Sequence, residues 1–464
     1  MKSDTIAAIS TALSSSGIGI VRISGDDAVA VADRVFRSPS GKKLADQKSH
    51  TIHYGHIYDG EKAIDEVLVM LMRGPRSFTT EDTVEINCHG GVFVVKKVLE
   101  LVVSQGARLA EPGEFTKRAF LGGRMDLSQA EAVMDLIQSQ NEYALEASVR
   151  QLKGNVSEEI GRMRSQIIYE IAFIESALDD PEHISLDGYE DRLLPLVREL
   201  KDSMDRLIRS FENGRQMTEG IKTVIIGKPN AGKSSILNLL AGEERAIVTD
   251  IAGTTRDVLE ENIVLEGISL RLLDTAGIRE TEDVVESIGV ERALKHAKDA
   301  DLILYVADAS AGLDDNDRNI LEAVKGKEVI ALLNKTDRDD VDDTILDQLS
   351  QQIQEYIPGQ QCISFSAKER TGLSQLTKQV SDIFFAGRVS FNDQIYITNV
   401  RHKDLLKDAL HSMEMVEQSV LDGMPEDFYS IDLMGAYESL GAIIGEEVGD
   451  DLVNEIFHRF CMGK

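Results

Sequence analysis

The sequence predicts a multidomain chain that joins α/β and all-α parts, with a doubly wound α/β domain inserted into a helical one. Three observations predict it. Residues 1 to about 120 alternate short strands with helices; the chain then turns helical; and between about 217 and 384 six strand-like runs alternate with helices before the helical pattern returns. The expected boundaries are 1–122 for the N-terminal domain, 123–214 for the first helical piece, 215–384 for the insertion and 385–464 for the second helical piece.

In the N-terminal part, Ile18-Gly-Ile-Val-Arg22-Ile and Asp82-Thr-Val-Glu85-Ile read as strands, and Cys88-His89-Gly90-Gly91 turns into the helical run Val92–Val103. His50, His53 and His56 are spaced by threes among Ile and Tyr, which alternates the faces of a strand rather than gathering metal ligands. From Asp126 the pattern is helical, and Asp126 with Gln129 has the spacing of a capping box. Leu145, Val149, Leu152, Val156, Ile160, Met163, Ile167, Ile171, Ile174 and Leu178 then recur in steps of 4-3-4. That eleven-residue period keeps one apolar stripe in register, so it predicts a single nearly straight helix about 50 Å long, weakened at Gly154 and Gly161. Residues Tyr189–Phe211 and most of Arg401–Arg459 are also helical, so helices from both sides of the insertion are expected to share a domain.

Composition narrows the class. At 464 residues, 42% hydrophobic and 28% charged, the chain has length for several globular cores. Its longest apolar runs, such as Val67–Met72 and Leu302–Ala307, are too short to span a bilayer, and residues 1–20 carry no continuous apolar core of a secretory signal. Cys88, Cys362 and Cys461 are odd in number and far apart, which fits a reducing cytoplasm rather than a disulfide or zinc framework. The formal charge of −30 counts against unassisted nucleic-acid binding, though not against a local basic patch or a partner that supplies one. Arg388, Arg401, His402 and Lys403 are the basic candidates.

The insertion opens on Ile221-Lys-Thr-Val-Ile-Ile-Gly227-Lys-Pro-Asn230-Ala231-Gly232-Lys233-Ser234-Ser235. This is G-x-x-x-x-G-K-S with a strand before it and a helix after it. Bare glycines let backbone N–H groups converge on phosphate oxygens at a helix N-terminus, with Lys233 reaching the β- and γ-phosphates and Ser234 ligating Mg²⁺. Four further signals follow in order. Gly253-Thr254-Thr255-Arg256-Asp257 offers Thr255 to the Mg²⁺ shell, and Asp274-Thr275-Ala276-Gly277 offers a carboxylate for Mg²⁺ through water and an N–H for the γ-phosphate. Asn334-Lys335-Thr336-Asp337 ends a strand, and Ser366-Ala367-Lys368 closes the set. Asp337 presents two oxygens to the adjacent N1–H and 2-NH₂ donors of guanine, a pair that adenine lacks. The five signals together resemble the translation-factor branch of Ras-like P-loop GTPases, and so imply GTP. Those enzymes place a water-orienting Gln after the D-T-A-G segment, where this chain has Ile278. Two substitutes are in sight: Asn230, whose amide oxygen suits a monovalent cation, and Glu286, which can orient water but by itself reads more readily as a solvated helix-start carboxylate.

The whole chain resembles the bacterial tRNA modification GTPase family MnmE, also called TrmE. The match covers Gly19-Ile-Val-Arg22-Ile-Ser, Pro112-Gly-Glu-Phe-Thr116, Arg118-Ala-Phe120, Asp126-Leu-Ser-Gln-Ala-Glu131, the inserted domain and Cys461-Met-Gly-Lys464. The resemblance implies an N-terminal folate-binding, dimerising α/β domain, a discontinuous helical domain and an inserted Ras-like P-loop GTPase domain. It implies nucleotide contacts from Asn230 to Ser235, from Thr249 through Asp250, Ile251, Ala252, Gly253 and Thr254 to Thr255, and at the three later motifs. It also implies potassium-stimulated hydrolysis, with Asn230, Thr249, the Ile251 carbonyl and Thr254 around the K⁺, two GTPase domains facing each other across it, and Glu286 orienting the water. Arg22, Glu85, Arg124 and Lys464 fall on the family's positions for 5-formyltetrahydrofolate or a related tetrahydrofolate. A pterin shows the same donor pair as guanine, which suits Glu85. Many family members carry Lys where this chain has Arg124, and Met462 replaces a usual Ile.

Near a C-terminal helix end, Cys461 reads as structural by itself; the family signature C-x-G-K makes it a candidate nucleophile or acid/base. The resemblance further implies a homodimer, a heterotetramer with the FAD-dependent protein MnmG (GidA), and tRNA as substrate. The product would be a carboxymethylaminomethyl or aminomethyl group on C5 of the wobble uridine, built with glycine or ammonium. Two rival readings are a GTP-driven ribosome assembly factor, for which the chain has no G-x-x-G loop of a KH domain and no basic tail, and a regulatory GTPase with no folate site.

Overall fold

The computed structural model describes residues 4–139, 141–243, 261–273, 295–385, 395–446, 448–458, 460 and 463. They form two compact units, one of Met1–Met134, Gln151–Ala172 and Tyr437–Lys464, the other of Asp135–Arg150 and Phe173–Ala436.

The first unit is built on seven strands: β1 (Ile6–Ile9), β2 (Gly19–Ser24), β3 (Phe36–Arg37), β4 (Thr51–Asp59), β5 (Lys62–Met72), β6 (Thr83–Cys88) and β7 (Arg108–Leu109), in the order β3-β4-β5-β6-β2-β1-β7. Only the β1–β7 pair is parallel. Period-two alternation sorts each strand: Val21, Ile23, Val84 and Ile86 point to one face and join the helices Ala28–Val35 and Val92–Ser104 in a core, leaving Arg22 and Glu85 on the other. That other face is covered near β1 by Phe115, Ala110 and Phe78. Asp126 caps the next helix as its spacing predicts: its N–H donates to Gln129 Oε1 at 3.0 Å and its Oδ1 accepts from Gln129 N at 2.9 Å.

The expected single long helix is instead two, Glu142–Leu152 and Asn155–Asp179. The ladder breaks at Gly154, whose φ of +99° lies outside the helical region, and Gln129 Nε2 donates to the freed Leu152 carbonyl at 3.0 Å. Beyond the break the stripe is buried as predicted from Val156 to Ile174. Before it the buried face rotates to Ala144, Ser148 and Gln151, leaving Leu145 exposed.

In the second unit, the helix Tyr189–Glu219 buries Leu193, Val197, Leu200, Met204, Leu207 and Phe211. It packs on Val400–Leu421, so helices from both sides of the insertion do meet. Arg198 and Lys201 pair with Glu417 across them. This helix runs to Glu219, past the boundary expected at 214/215, and β8 starts at Ile221. The six strands β8 (Ile221–Ile226), β9 (Glu261–Leu265), β10 (Ile268–Leu272), β11 (Leu302–Asp308), β12 (Val329–Asn334) and β13 (Gln361–Ser364) lie in the order β13-β12-β11-β8-β10-β9. All pair in parallel except β9 with β10. β11 and β12 are buried at every residue, as strands with both faces covered must be.

Candidate functional site

Every loop that carries a described nucleotide motif leaves the carboxyl end of a parallel strand, where a doubly wound sheet binds its ligands. β8 passes through Gly227–Gly232 into the helix Lys233–Glu243. Gly232 has φ +101°, and a Cβ there would lie 2.1 Å from Asn334 Nδ2, so only glycine fits where this loop crosses β12. Lys233 Nζ donates to the Gly227 and Lys228 carbonyls at 3.0 and 2.8 Å. These bare loop residues at a helix N-terminus suit a triphosphate, and the Ser234 hydroxyl beside them suits a hard cation such as Mg²⁺.

The motif at the end of β12 binds this loop directly. Asn334, 2% exposed, donates through Nδ2 to the Ala231 carbonyl at 2.8 Å and accepts from Ala367 N at 3.2 Å, so one side chain ties three segments. Lys335 donates to the Asn230 carbonyl and to Asp308 Oδ2, both at 2.7 Å. Asp337 Oδ1 accepts from the Ser366 hydroxyl at 2.7 Å and Lys368 Nζ lies 3.5 Å from Oδ2; these contacts hold the carboxyl below its ordinary range, ionised and accepting at neutral pH. Gly232, Ser235, Leu239, Asp337, Ala367 and Lys368 are among the residues lining an open cleft of about 610 Å³. A planar base with paired donors fits there. Asn230, at φ +62°, lies on the exposed side of the loop, where its neutral amide suits a weakly hydrated cation.

Of the other residues expected here, Thr249, Asp250, Ile251, Ala252, Gly253, Thr254, Thr255, Asp274, Thr275, Ala276, Gly277, Ile278 and Glu286 lie outside the described residues, as do Arg388, Cys461 and Lys464. Sequence reasoning missed Asp308, which ends β11 and fixes Lys335. Burial works against its charge, but Lys335 and the Ser310 hydroxyl and N–H hold its carboxyl below the ordinary value. A strand ending in a lone Asp was the available signal. Of the basic candidates, Arg401 is half-buried near the start of the helix Val400–Leu421, His402 is 1% exposed, and Lys403 pairs with Glu212 at 3.2 Å and covers the Phe211 ring.

In the N-terminal unit, Arg22 and Glu85 face each other on β2 and β6, with Arg22 Nε 2.8 Å from Glu85 Oε1. The guanidinium lies 5.6 and 5.5 Å from the Phe78 and Phe115 ring centres, and that of Arg124 lies 4.9 Å from Phe78. Glu85 Oε2 is engaged by no other group among the described residues. A largely buried carboxylate beside aromatic rings and two guanidiniums fits a flat heterocycle with paired N–H donors and an anionic tail. Phe78 carried no signal in the sequence, and Phe115 only its place in Pro112-Gly-Glu-Phe-Thr116. Ser10 Oγ donates to the Gly463 carbonyl at 3.0 Å, which brings the C-terminal segment to the end of β1. Elsewhere on the sheet, the imidazole of His89 lies 2.7 Å from Asp65, whose hydrogen bond and charge raise its pKa.

Strand order and loop placement define a phosphate-loop nucleotide-binding domain. Comparison with known proteins narrows this to a family. The family description "MnmE helical domain" matches residues 127–461, and "GTP-binding protein TrmE N-terminus" matches residues 5–124. The tRNA modification GTPase MnmE of Lachnoclostridium phytofermentans is 56% identical over the full length of both chains. Those of Acetivibrio thermocellus and Enterococcus faecalis are 49% and 48% identical, covering all of this chain and 100% and 99% of theirs. The chain belongs to the MnmE (TrmE) family of tRNA modification GTPases. It is a GTP hydrolase acting in tRNA modification. No helix among the described residues is long and apolar enough to cross a membrane.

Proposed function

We propose that this chain is a potassium-activated cytoplasmic GTPase that works as a homodimer. In a heterotetramer with the FAD-dependent protein MnmG, it installs a carboxymethylaminomethyl or aminomethyl group on C5 of the wobble uridine of certain tRNAs. Full-length similarity to MnmE proteins supports this reading, and one observation carries it beyond GTP hydrolysis: a second carboxylate site, Glu85 with Arg22, stands on a separate sheet from Asp337. Asp337 reads guanine; Lys233 neutralises the β- and γ-phosphates; Ser234 and Thr255 hold Mg²⁺. Asn230, Thr249, the Ile251 carbonyl and Thr254 hold K⁺, and Glu286 orients the attacking water in place of the glutamine that Ile278 replaces. Arg22, Glu85, Arg124 and Lys464 hold the tetrahydrofolate, with Cys461 beside it. When bound, the potassium ion supplies positive charge at the triphosphate and the folate supplies a one-carbon unit. Residues 1–122 form the folate-binding and dimerising domain, 215–384 the GTPase domain, and 123–214 with 385–464 the helical domain.

Nucleoside analysis of tRNA from a deletion strain tests the reading. The modified wobble nucleoside should vanish and return with the wild-type chain, but not with Glu85→Ala or Lys233→Ala. Full abundance in the deletion strain would overturn the proposal, and full rescue by Glu85→Ala would remove the folate site from it.

A further inference from the structure

Lys228 follows the first glycine of the phosphate loop, yet its ammonium is used inside the protein. It is 8% exposed and donates to the Gly312 carbonyl at 2.9 Å, with Asp317 Oδ2 at 2.8 Å and Asp314 Oδ2 at 3.4 Å. Asp317 is fully buried and engaged on both oxygens: Oδ1 accepts from the Tyr305 hydroxyl at 2.8 Å, and Oδ2 also accepts from Asp314 N at 3.1 Å. That last bond is half of the capping box that starts the helix Asp315–Ala323. Tyr305 belongs to β11, next to β8, and is itself 0% exposed. The side chain of Lys228 is therefore fixed to a strand and a helix start. Its main-chain carbonyl, with that of Gly227, is what receives the Lys233 ammonium.

We propose that Lys228 is a positioning residue for GTP hydrolysis: anchored by Asp317 and Tyr305, it sets the two carbonyls that hold Lys233 in line with the phosphates. The inference rests on reading Gly227–Ser235 as the phosphate loop. A buried ion pair is poor evidence for stability alone, since apolar side chains of similar volume often serve as well. What an apolar replacement loses here is a fixed carbonyl pair, and small misplacements of a charge-stabilising group are costly to turnover.

The test measures kcat and KM for GTP in potassium buffer with the full chain, well below each variant's melting temperature. Lys228→Met should lower kcat about tenfold or more, with KM moving less than about threefold, and Lys228→Arg should recover most of the loss. Lys228→Met leaves Asp317 charged and unpaired, so it also lowers the melting temperature; the double variant Lys228→Met/Asp317→Asn removes that buried charge. The double variant should melt above the single one and keep the kcat loss. A kcat within about twofold of wild type in the double variant would overturn the proposal and leave the pair a fold contact only. Wild-type turnover in Lys233→Ala would instead remove the phosphate-loop reading beneath it.

Discussion

Asp337 accepts from Ser366 and lies near Lys368, and these two contacts orient its carboxylate, the group proposed above to read guanine. An amide at this position replaces one acceptor with a donor, which mismatches guanine and matches the 2-oxo group of xanthine. Asp337→Asn should raise KM for GTP by about 100-fold and make XTP the better substrate, read by turnover of the two nucleotides in competition. The residues of such contiguous motifs were legible because their spacing is local. Asp308 was not, because its partner Lys335 is 27 residues away and one carboxylate makes no pattern. At His89 the sign of a pH effect follows from its neighbour. Asp65 raises the imidazole pKa above 6.5, so the pair stabilises the fold below that value, and the gain is lost as pH rises through the folded pKa. NMR titration should place the His89 midpoint above 6.5 in the wild type and near it in Asp65→Asn, with the melting-temperature gap between the two proteins wider in mildly acidic than in alkaline buffer.

At the scale of elements, the run from Ile221 ahead of the phosphate loop is β8, and the apolar run Leu302–Ala307 is β11, one residue longer. The long helix was misread. Its apolar period continues through Gly154, and periodicity cannot register a backbone that leaves the helix for two residues and resumes. Gly154 and Gly161 look alike in sequence but differ in conformation. At Gly154 the positive φ strains any side chain, and a Cβ would stand 3.3 Å from Gln129 Nε2; at Gly161, inside the second helix, nothing lies within 4 Å. Gly154→Ala should therefore destabilise by about 1–3 kcal/mol, while Gly161→Ala should stabilise by about 0.5–1 kcal/mol. Urea unfolding of the two variants checks both signs.

For the whole molecule, the strand–helix alternation of both α/β parts and the return of helix after residue 384 were legible. The helices Tyr189–Glu219 and Val400–Leu421, from either side of the insertion, pack on each other as expected. The burial of His402 and the pairing of Lys403 were not legible, because both depend on partners distant in the sequence. With Lys403 engaged, a chain of net charge −30 should bind tRNA weakly alone and more tightly with the partner proposed above. The proposed GTPase cycle rests on a cation beside Asn230 in place of a glutamine and an arginine. GTP turnover in potassium against sodium at equal ionic strength, with Asn230→Ala alongside, measures that dependence directly. Turnover about tenfold or more faster in potassium, and lost in Asn230→Ala, is the expected result; equal rates in the two salts would contradict it.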